Sequence, residues 1–188
     1  MDVLNAIATL EAAIGDPHQG LPEDIFLFVS RIAPMVNVDL LIQDGAGRTL
    51  LTWRDDEFFG RGWHVPGGVI RYKEMAADRI RACAREELGA EVAFEAEPLL
   101  VMEYVQAENS RGEKQSRRHG ISLLYRCTLL TPPAERLRAG PHAPQSGEAP
   151  QSGEAPRPGE APRPGEWRWH EGCPSELLAA QAQYRRFF

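Results

Sequence analysis

The sequence lacks several features that would assign it to common classes of protein. Its apolar runs are shorter than the roughly 20 residues that a membrane-spanning helix needs, and no basic region followed by an apolar stretch marks a signal peptide. It has only three cysteines, Cys83, Cys127 and Cys173, and their odd number and wide spacing do not predict a disulfide framework. Basic residues are also few: 21 against 27 acidic residues give a net charge of −6, which argues against nucleic acid binding. We therefore expect a cytoplasmic protein with neither a membrane nor a nucleic acid as partner.

The chain does contain enough apolar sequence for one core. It has 188 residues, of which 43% are hydrophobic, and this size predicts a single main domain at 34–188 preceded by two amphipathic helices within 1–33. The predicted helices are 2–14, 22–32, 74–88 and 175–188, and the predicted strands are 36–43, 48–54, 98–107, 119–130 and 167–169. The strongly apolar second helix packs either on the domain or on a partner subunit in this interpretation, so a homodimer is one expected arrangement.

Four tandem six-residue repeats interrupt the main domain at residues 143–166. They read APQSGE twice and then APRPGE twice. Because proline, glycine and charged residues without large apolar side chains cannot form a packed core, we expect a disordered insertion. Removing three copies would leave a connection of ordinary length.

Residues 67–90, GGVIRYKEMAADRIRACAREELGA, carry the most informative pattern. Two glycines lead into a predicted helix that ends in the adjacent carboxylates Glu86 and Glu87. Mg²⁺ prefers oxygen ligands and is usually bound by one or two carboxylates together with substrate phosphates and water. An ordinary amphipathic helix with a solvated acidic face is the alternative interpretation. Gly67 and Gly68 let the chain turn sharply, which is expected to bring a backbone carbonyl close to the metal.

The spacing resembles a Nudix box, in which a glycine is followed by five residues, Glu, seven residues and then Arg-Glu-aliphatic-x-Glu-Glu-x-Gly. Gly68, Glu74, Glu86-Glu87 and Gly89 fill that pattern here, after Trp63-His64-Val65-Pro66-Gly67-Gly68. The resemblance implies an α/β fold (α+β), the Nudix α/β/α sandwich with a mixed β-sheet between helices. It also implies a hydrolase of a nucleoside diphosphate linked to another group, dependent on Mg²⁺ or on Mn²⁺ in its place. The metal ligands implied are the Gly67 carbonyl, Glu86 and Glu87.

Two box positions depart from the pattern. Ala82 stands where the box has Arg, and Cys83 stands where the box has the Glu that follows this Arg. In the family that Glu helps bind a second metal or orients the attacking water, and the Arg holds it in place. Because the two residues act together, losing both is coherent, and we expect one tightly held Mg²⁺.

The rest of the chain is similar to the GDP-mannose mannosyl hydrolase branch of the family. The similarity runs from about residue 34 to residue 127 and returns at 167–169. It implies attack at the sugar carbon, with release of the nucleoside diphosphate and a free sugar. It also implies catalytic roles for Asp39 and Arg54 on the first hairpin and for His119, which follows a polar loop. Asp39 would orient Arg54 or favour developing positive charge at the sugar carbon, and His119 would hydrogen-bond the diphosphate leaving group.

Other side chains complete the predicted site. Arg54 and Arg71 are expected to bind diphosphate oxygens, because a guanidinium matches them in bidentate geometry. Tyr104 is one of several aromatic candidates for contact with the substrate. The general base stays open between Glu166, which precedes a strand tryptophan, and two histidines, His142 and His170.

Two further functions remain alternatives at this stage. The first is a Nudix pyrophosphohydrolase that attacks phosphorus in another nucleoside diphosphate derivative. The second is a catalytically inactive nucleotide-binding module that lost turnover with Ala82 and Cys83. The polar loop at 108–118 is either a lid that meets phosphates or a solvated hairpin tip.

Overall fold

The computed structural model describes residues 2–105, 119–134 and 161–188 of the chain. Its α-helices are α1 (Val3–Ile14), α2 (Glu23–Ile32) and α3 (Ala76–Cys83), with 3₁₀ segments at Pro17–Gln19 and Ala179–Phe187 and a π-helical segment at Ala84–Leu88. The strands are β1 (Met35–Ile42), β2 (Thr49–Asp56), β3 (Gly60–His64), β4 (Gly67–Val69), β5 (Val92–Phe94), β6 (Leu100–Val105), β7 (His119–Leu129) and β8 (Trp167–His170). The loop at 108–118, His142 and the hexads at 143–160 lie outside the described residues. Within the part of the chain that the structure describes, no helix has the length and hydropathy to span a bilayer.

The larger sheet is mixed, as the fold class predicted. Its strand order is β4-β1-β7-β5, and β6 also pairs with β7. Strands β1 and β7 run parallel over eight residue pairs, whereas β4, β5 and β6 pair in antiparallel fashion. Because β1 is central and its second half is fully buried, it reads MVNVDLLI, nearly continuous apolar sequence with one buried carboxylate.

A smaller antiparallel sheet of order β3-β2-β8 packs beside the larger one. Alternate side chains of β1 divide between two cores. Val38, Leu40 and Ile42 pack with the apolar stripe of α3, while Leu41 packs with Trp53 and Trp63 of the smaller sheet. The period-two alternation of a strand therefore places Asp39 on the side of the smaller sheet, opposite α3.

The helix of the box is shorter and less regular than the single helix predicted at 74–88. It begins at Ala76, because the Glu74 carboxylate accepts a hydrogen bond from the Arg71 N–H in the preceding turn. After Cys83 the chain widens into the π-helical segment, which ends at Gly89 in the left-handed conformation at φ 64°. A π-helical turn rotates successive side chains by less than an α-helical one, which changes where Glu86 and Glu87 point.

The two N-terminal helices differ in how much of their surface is buried. Helix α1 buries none of its residues, whereas α2 buries Ile25 and Ser30.

The predicted helix at 175–188 is wrong as a continuous α-helix: it is a pair of 3₁₀ segments with Gln181 in a non-helical conformation between them. The reason is that the Gln181 side chain bonds both backbone groups of Val65, with 2.7 Å to its N–H and 3.3 Å to its carbonyl.

The last hexad, residues 161–166, differs from the disorder expected for the repeat. The Gly165 N–H donates to the Trp53 carbonyl and the Glu166 carbonyl accepts from the Trp53 N–H, at 2.8 Å and 2.7 Å. The Glu166 side chain is 2% exposed. This copy therefore leads directly into β8 as part of the smaller sheet.

Candidate active site

One cavity of about 930 Å³ brings together most of the side chains that the sequence predicted for the site. The predicted residues on its wall are Asp39, Arg54, Gly67, Arg71, Glu86, Glu87 and Tyr104. They come from β1, β2, β4, β6, the connection after β4 and the helical end of the box. The fold thus collects residues that are far apart in the chain into a single concave surface.

Glu87 is a carboxylate of the cavity with only 10% of its side chain exposed. Its Oε1 accepts from the Gly67 N–H at 3.0 Å, and its Oε2 accepts from the Thr52 hydroxyl at 3.2 Å. Burial raises the pKa of Glu87 to about 7, although Arg54 and the two hydrogen bonds oppose the rise. The contact that the structure gives Gly67 is thus through its N–H, while the predicted ligation by its carbonyl stays a prediction.

Glu86 points to a different set of partners. Both of its carboxylate oxygens lie 3.0 Å from Nη2 of Arg79, and its Oε1 lies 3.8 Å from Nη2 of Arg71. The Glu86 side chain is 45% exposed, whereas that of Arg79 is 4% exposed. Two successive glutamates therefore present one buried and one accessible carboxylate to the same cavity.

Asp39 is hydrogen-bonded to a tyrosine and a serine, and its predicted role in orienting Arg54 stays a prediction. It accepts a hydrogen bond of 2.6 Å from the Tyr184 hydroxyl, and Ser122 also bonds to it. Burial raises the pKa of Asp39 to about 6, while these two hydrogen bonds and the charge of Arg54 act in the opposite direction. Arg54 instead places its Nε 3.2 Å from Oδ2 of Asp56, and the two residues lie on the same strand, so the pair forms locally.

Cys83 lies on the cavity wall but has the properties of a packed side chain. It is 2% exposed, and burial raises the pKa of its thiol well above its ordinary value, with Glu87 adding to the rise and Arg79 opposing it. The thiol therefore stays protonated at neutral pH and is not a nucleophile.

His64 is a buried member of the site that the sequence interpretation did not select. Its Nε2 lies 3.1 Å from the Thr52 hydroxyl and 3.8 Å from Oε2 of Glu87. Burial lowers the pKa of His64 well below its ordinary value, and the charge of Arg54 adds to this, so the ring is neutral at pH 7.

Two predicted catalytic residues do not lie on the cavity wall. His119 is half-exposed and bonds Oε1 of Glu103 at 2.8 Å, on strands β7 and β6. Glu166 is buried, but its carboxylate accepts from the Arg168 guanidinium and from the Arg163 N–H. His170, a candidate base, packs edge-on against Trp63, and it too is absent from the wall.

The segment before β1 also forms part of the cavity, which the sequence interpretation did not expect. The residues that it contributes are Pro17, Gln19, Gly20, Leu21, Glu23, Phe26 and Leu27. The His18 and Tyr72 rings make an edge-on contact, with centroids 5.7 Å apart. Helix α2 and the 3₁₀ segment before it therefore belong to the cavity wall, whereas α1 contributes no residue to it.

The oxygen donors of this cavity fit a single hard divalent cation. Among the described residues, no group of three or more His, Cys, Asp or Glu side chains forms a ready cage. Two carboxylates are nevertheless a usual protein contribution to a Mg²⁺ site, with water and substrate phosphates supplying the other ligands. A cation would also offset the cost of burying the charged form of Glu87, which its raised pKa reports. Glu87 and Glu86 are the residues that would hold it.

Comparison with known proteins agrees with this geometry. The NUDIX domain model matches residues 33–151. The chain belongs to the Nudix hydrolase family. The match covers the box, β1 to β7 and the segment after them, so it includes the whole of the cavity except its N-terminal and C-terminal walls.

Individual relatives of this Nudix protein are more distant. The low-salt glycan biosynthesis protein Agl8 of Haloferax volcanii is 35% identical over 79 residues, which are 42% of this chain. The match spans only half the length of that relative. A solved structure from Jonesia denitrificans, named as a possible asymmetric diadenosine tetraphosphate hydrolase, superposes with a TM-score of 0.55 at 19% identity. The superposition covers 83% of this chain and 92% of the chain from Jonesia denitrificans. A MutT NUDIX hydrolase from Burkholderia pseudomallei is 26% identical, with a TM-score of 0.44 and coverage of 54% and 73%.

Some residues of the site that were not predicted have recognisable signals in the sequence. His64 follows Trp63 directly in the segment that leads into the box, so it could have been selected as a neighbour of the site. Arg79 lies four residues before Cys83, which puts it on the same helix face. Tyr184 had no such signal, because it is 145 residues from its partner Asp39.

Proposed function

We propose that this protein is a Mg²⁺-dependent hydrolase of a nucleoside diphosphate sugar of the GDP-mannose or GDP-glucose type, releasing the nucleoside diphosphate and a free sugar. The observation that carries the proposal is the charge arrangement of one cavity. Its wall holds the carboxylates of Glu86 and Glu87 together with the guanidinium groups of Arg54, Arg71 and Arg79. A diphosphate carries negative charge that needs both a cation and hydrogen-bond donors, and this wall supplies ligands for the one and donors for the other.

The roles of the residues follow from their exposure and partners. Glu87 is held by the Gly67 N–H and Thr52, so its position does not depend on substrate. Glu87 and Glu86 would hold Mg²⁺, whose positive charge would stabilise the negative charge that develops on the diphosphate leaving group. Arg71 is 35% exposed in its side chain and can reorient toward phosphate oxygens. Arg54 lies with its guanidinium 5.3 Å from the centre of the Phe59 ring, which limits its motion beside the cavity.

Two further observations favour a sugar-linked substrate. The archaeal relative is named for glycan biosynthesis, and its similarity to this chain covers half of its length. Asp39 lies on the cavity wall as a buried acceptor, and a carboxylate in that place suits either a sugar hydroxyl or developing positive charge at a sugar carbon. Tyr104 adds an aromatic surface to the same wall.

The test is a screen of nucleoside diphosphate sugars with Mg²⁺ or Mn²⁺, in which the products are identified. The expected products are a nucleoside diphosphate and a free hexose, and EDTA should abolish their formation. Glu87→Gln keeps the shape of the side chain but removes its charge, and it should lower kcat by about 100-fold or more. Glu91→Gln, an exposed carboxylate beyond the box, is the matched control and should keep the activity of the unmodified chain.

Other outcomes would select the alternative functions. A nucleoside monophosphate together with a sugar phosphate would indicate attack at phosphorus. Tight nucleotide binding without turnover of any diphosphate, even at high Mg²⁺, would indicate a binding module.

A homodimer through the N-terminal helices is part of the proposal. Val3, Leu4 and Ile7 of α1 are 70%, 72% and 45% exposed in the single chain, and α1 buries no residue. Light scattering at several concentrations tests it, with a mass near twice 20.9 kDa expected.

A further inference from the structure

The arginine that the box lacks at position 82 has a counterpart one turn earlier on the same helix. Arg79 lies in α3 and is 3% exposed as a residue, although arginines are almost never buried without partners. Its Nη2 lies 3.0 Å from both oxygens of Glu86, and its Nε lies 3.8 Å from Oε1 of Glu74. One guanidinium therefore lies between Glu74, the first glutamate of the box, and Glu86, the first of its two adjacent glutamates.

The path of the Arg79 side chain depends on the small residue at position 83. Positions 79 and 86 are seven residues apart, about 10 Å along a helix, and they share a face. The side chain of position 83 lies between them on that face. Because Cys83 is small and buried, it leaves room for the guanidinium to pass, whereas a glutamate there would stand beside Arg79 and compete with Glu86 for it.

The direction of the Glu86 side chain completes the contact. Helical side chains lean toward the N-terminus of the helix, so Glu86 leans back toward Arg79. The π-helical segment Ala84–Leu88 shifts Glu86 relative to a regular helix, and Glu87 meanwhile turns to the Gly67 N–H. The two adjacent carboxylates are thus held apart by two different donors.

We propose that Arg79 is a positioning residue that holds Glu86 at the cation site. In the box pattern the arginine at position 82 instead holds the glutamate at position 83, and this chain has neither residue. The inference rests on the proposed function insofar as Glu86 faces a bound cation. It predicts that Ala82, Cys83 and Arg79 form one compensated set. Arg79 itself acts through Glu86 and does not contact the reacting atoms.

The experiment compares four variants of the full chain: Arg79→Ala, Arg79→Lys, the double variant Arg79→Ala with Ala82→Arg, and Arg81→Ala. Position 82 precedes Glu86 by four residues, so an arginine there can bond Glu86 directly. Arg81 is on the same helix but pairs with Asp78 at the surface, which makes Arg81→Ala the matched control. The measurements are melting temperature, Mn²⁺ affinity without substrate by electron paramagnetic resonance, and kcat and KM on the best nucleotide substrate.

The expected result is a selective loss in Arg79→Ala. Loss of a residue that orients a metal ligand typically lowers metal affinity or activity by about 10- to 100-fold, and we expect this in Mn²⁺ affinity and in kcat, with KM changed by less than about threefold. The double variant should recover most of both. Arg79→Lys should be intermediate, because an ammonium group cannot bond Glu86 and approach Glu74 with the geometry of a guanidinium.

Several results would overturn the inference. One is a folded Arg79→Ala variant with unchanged Mn²⁺ affinity and kcat, and another is a double variant that recovers neither. If Arg79→Ala fails to fold, Arg79→Lys decides, and wild-type behaviour of that variant rejects the role. If the unmodified chain binds Mn²⁺ but hydrolyses nothing, the proposed function fails while the affinities still test Arg79. If it binds no Mn²⁺, both fail.

Discussion

The Tyr184 hydroxyl lies 2.6 Å from Oδ2 of Asp39 and joins the last 3₁₀ segment to the first strand of the larger sheet. Both residues are buried, Tyr184 at 0% and Asp39 at 6% exposure. Because Asp39 also lies on the cavity wall, the packing of the C-terminal segment and the shape of the site depend on the same bond.

Removing that hydroxyl should destabilise the protein measurably. Tyr184→Phe leaves a buried carboxylate without its closest donor, and an unsatisfied buried group of this kind costs about 1–3 kcal/mol. Urea unfolding gives the free energy of unfolding. Tyr72→Phe, at a residue that is 56% exposed, is the control and should change it by less than about 0.5 kcal/mol. Equal stability of the two variants would show that the bond contributes nothing.

The stability of the protein should depend on pH through Asp39. Its pKa is raised by burial to about 6 from an ordinary value of 3.8, so the folded state keeps a proton that the unfolded state releases between those values. The contribution of Asp39 to stability is therefore full below pH 3.8 and is lost as pH rises through 6. Over that range the loss is at most about 3 kcal/mol.

Comparison with Asp39→Asn isolates this contribution. In urea unfolding with EDTA at several pH values, the unmodified chain should lose stability relative to the variant between pH 4 and pH 7. Parallel curves for the two proteins would contradict the raised pKa.

Gln181 should act as a staple between the C-terminal segment and the end of β3. Its side chain satisfies the N–H and the carbonyl of Val65, a fully buried residue between β3 and β4. Gln181→Ala should lower the free energy of unfolding by about 1–3 kcal/mol. Gln183→Ala, two residues away and exposed, should have no comparable effect. Hydrogen exchange at Val65 gives an independent readout, and unchanged protection in Gln181→Ala would exclude the staple.

Gly67 should tolerate no side chain. A Cβ at this position would overlap the Val38 carbonyl oxygen and Oδ1 of Asp39, since β4 approaches β1 closely there. Gly67→Ala should therefore destabilise the protein by about 1–3 kcal/mol or more and disturb the N–H that holds Glu87. Gly45→Ala, where a Cβ would meet nothing within 4 Å, is the control. Comparable melting temperatures of the two variants would contradict the close approach.

The sequence predicted what depends on local pattern and on the box. The Nudix family, the mixed sheet and β1 followed from the spacing around Gly68 and from apolar runs, and these are confirmed. Short strands such as β4 and β5, with three residues each, have too few residues for a period to show.

Partners within the site were harder to predict than its members. The predicted role of Asp39 in orienting Arg54 stays a prediction, whereas its hydrogen bond to Tyr184 had no local signal, because tertiary packing brings that residue in from a distant segment. The single helix predicted at 74–88 was wrong in its last turn, since nothing in the sequence between Ala84 and Leu88 marks a π-helical turn. Glu166 was predicted as a candidate base from its place before Trp167. Its buried carboxylate accepts a hydrogen bond from the neighbouring Arg168 guanidinium. Its catalytic role stays a prediction.

The deletion of residues 143–160 should leave both melting temperature and activity nearly unchanged. It removes three hexads and keeps the copy that bonds Trp53. Differential scanning calorimetry and the product assay check this, and a large loss in either would show that the removed copies have a role.

The pairing of Gly165 and Glu166 with Trp53 also bears on how the repeat can vary. The copies at 155–160 and 161–166 are identical, so whichever copy stands last can supply the same Gly-Glu pair to β2. Replication errors that add or drop whole units thus meet little selection from the fold, whereas a shift of one or two residues would break the strand register. Alleles of this gene should therefore differ in steps of six residues.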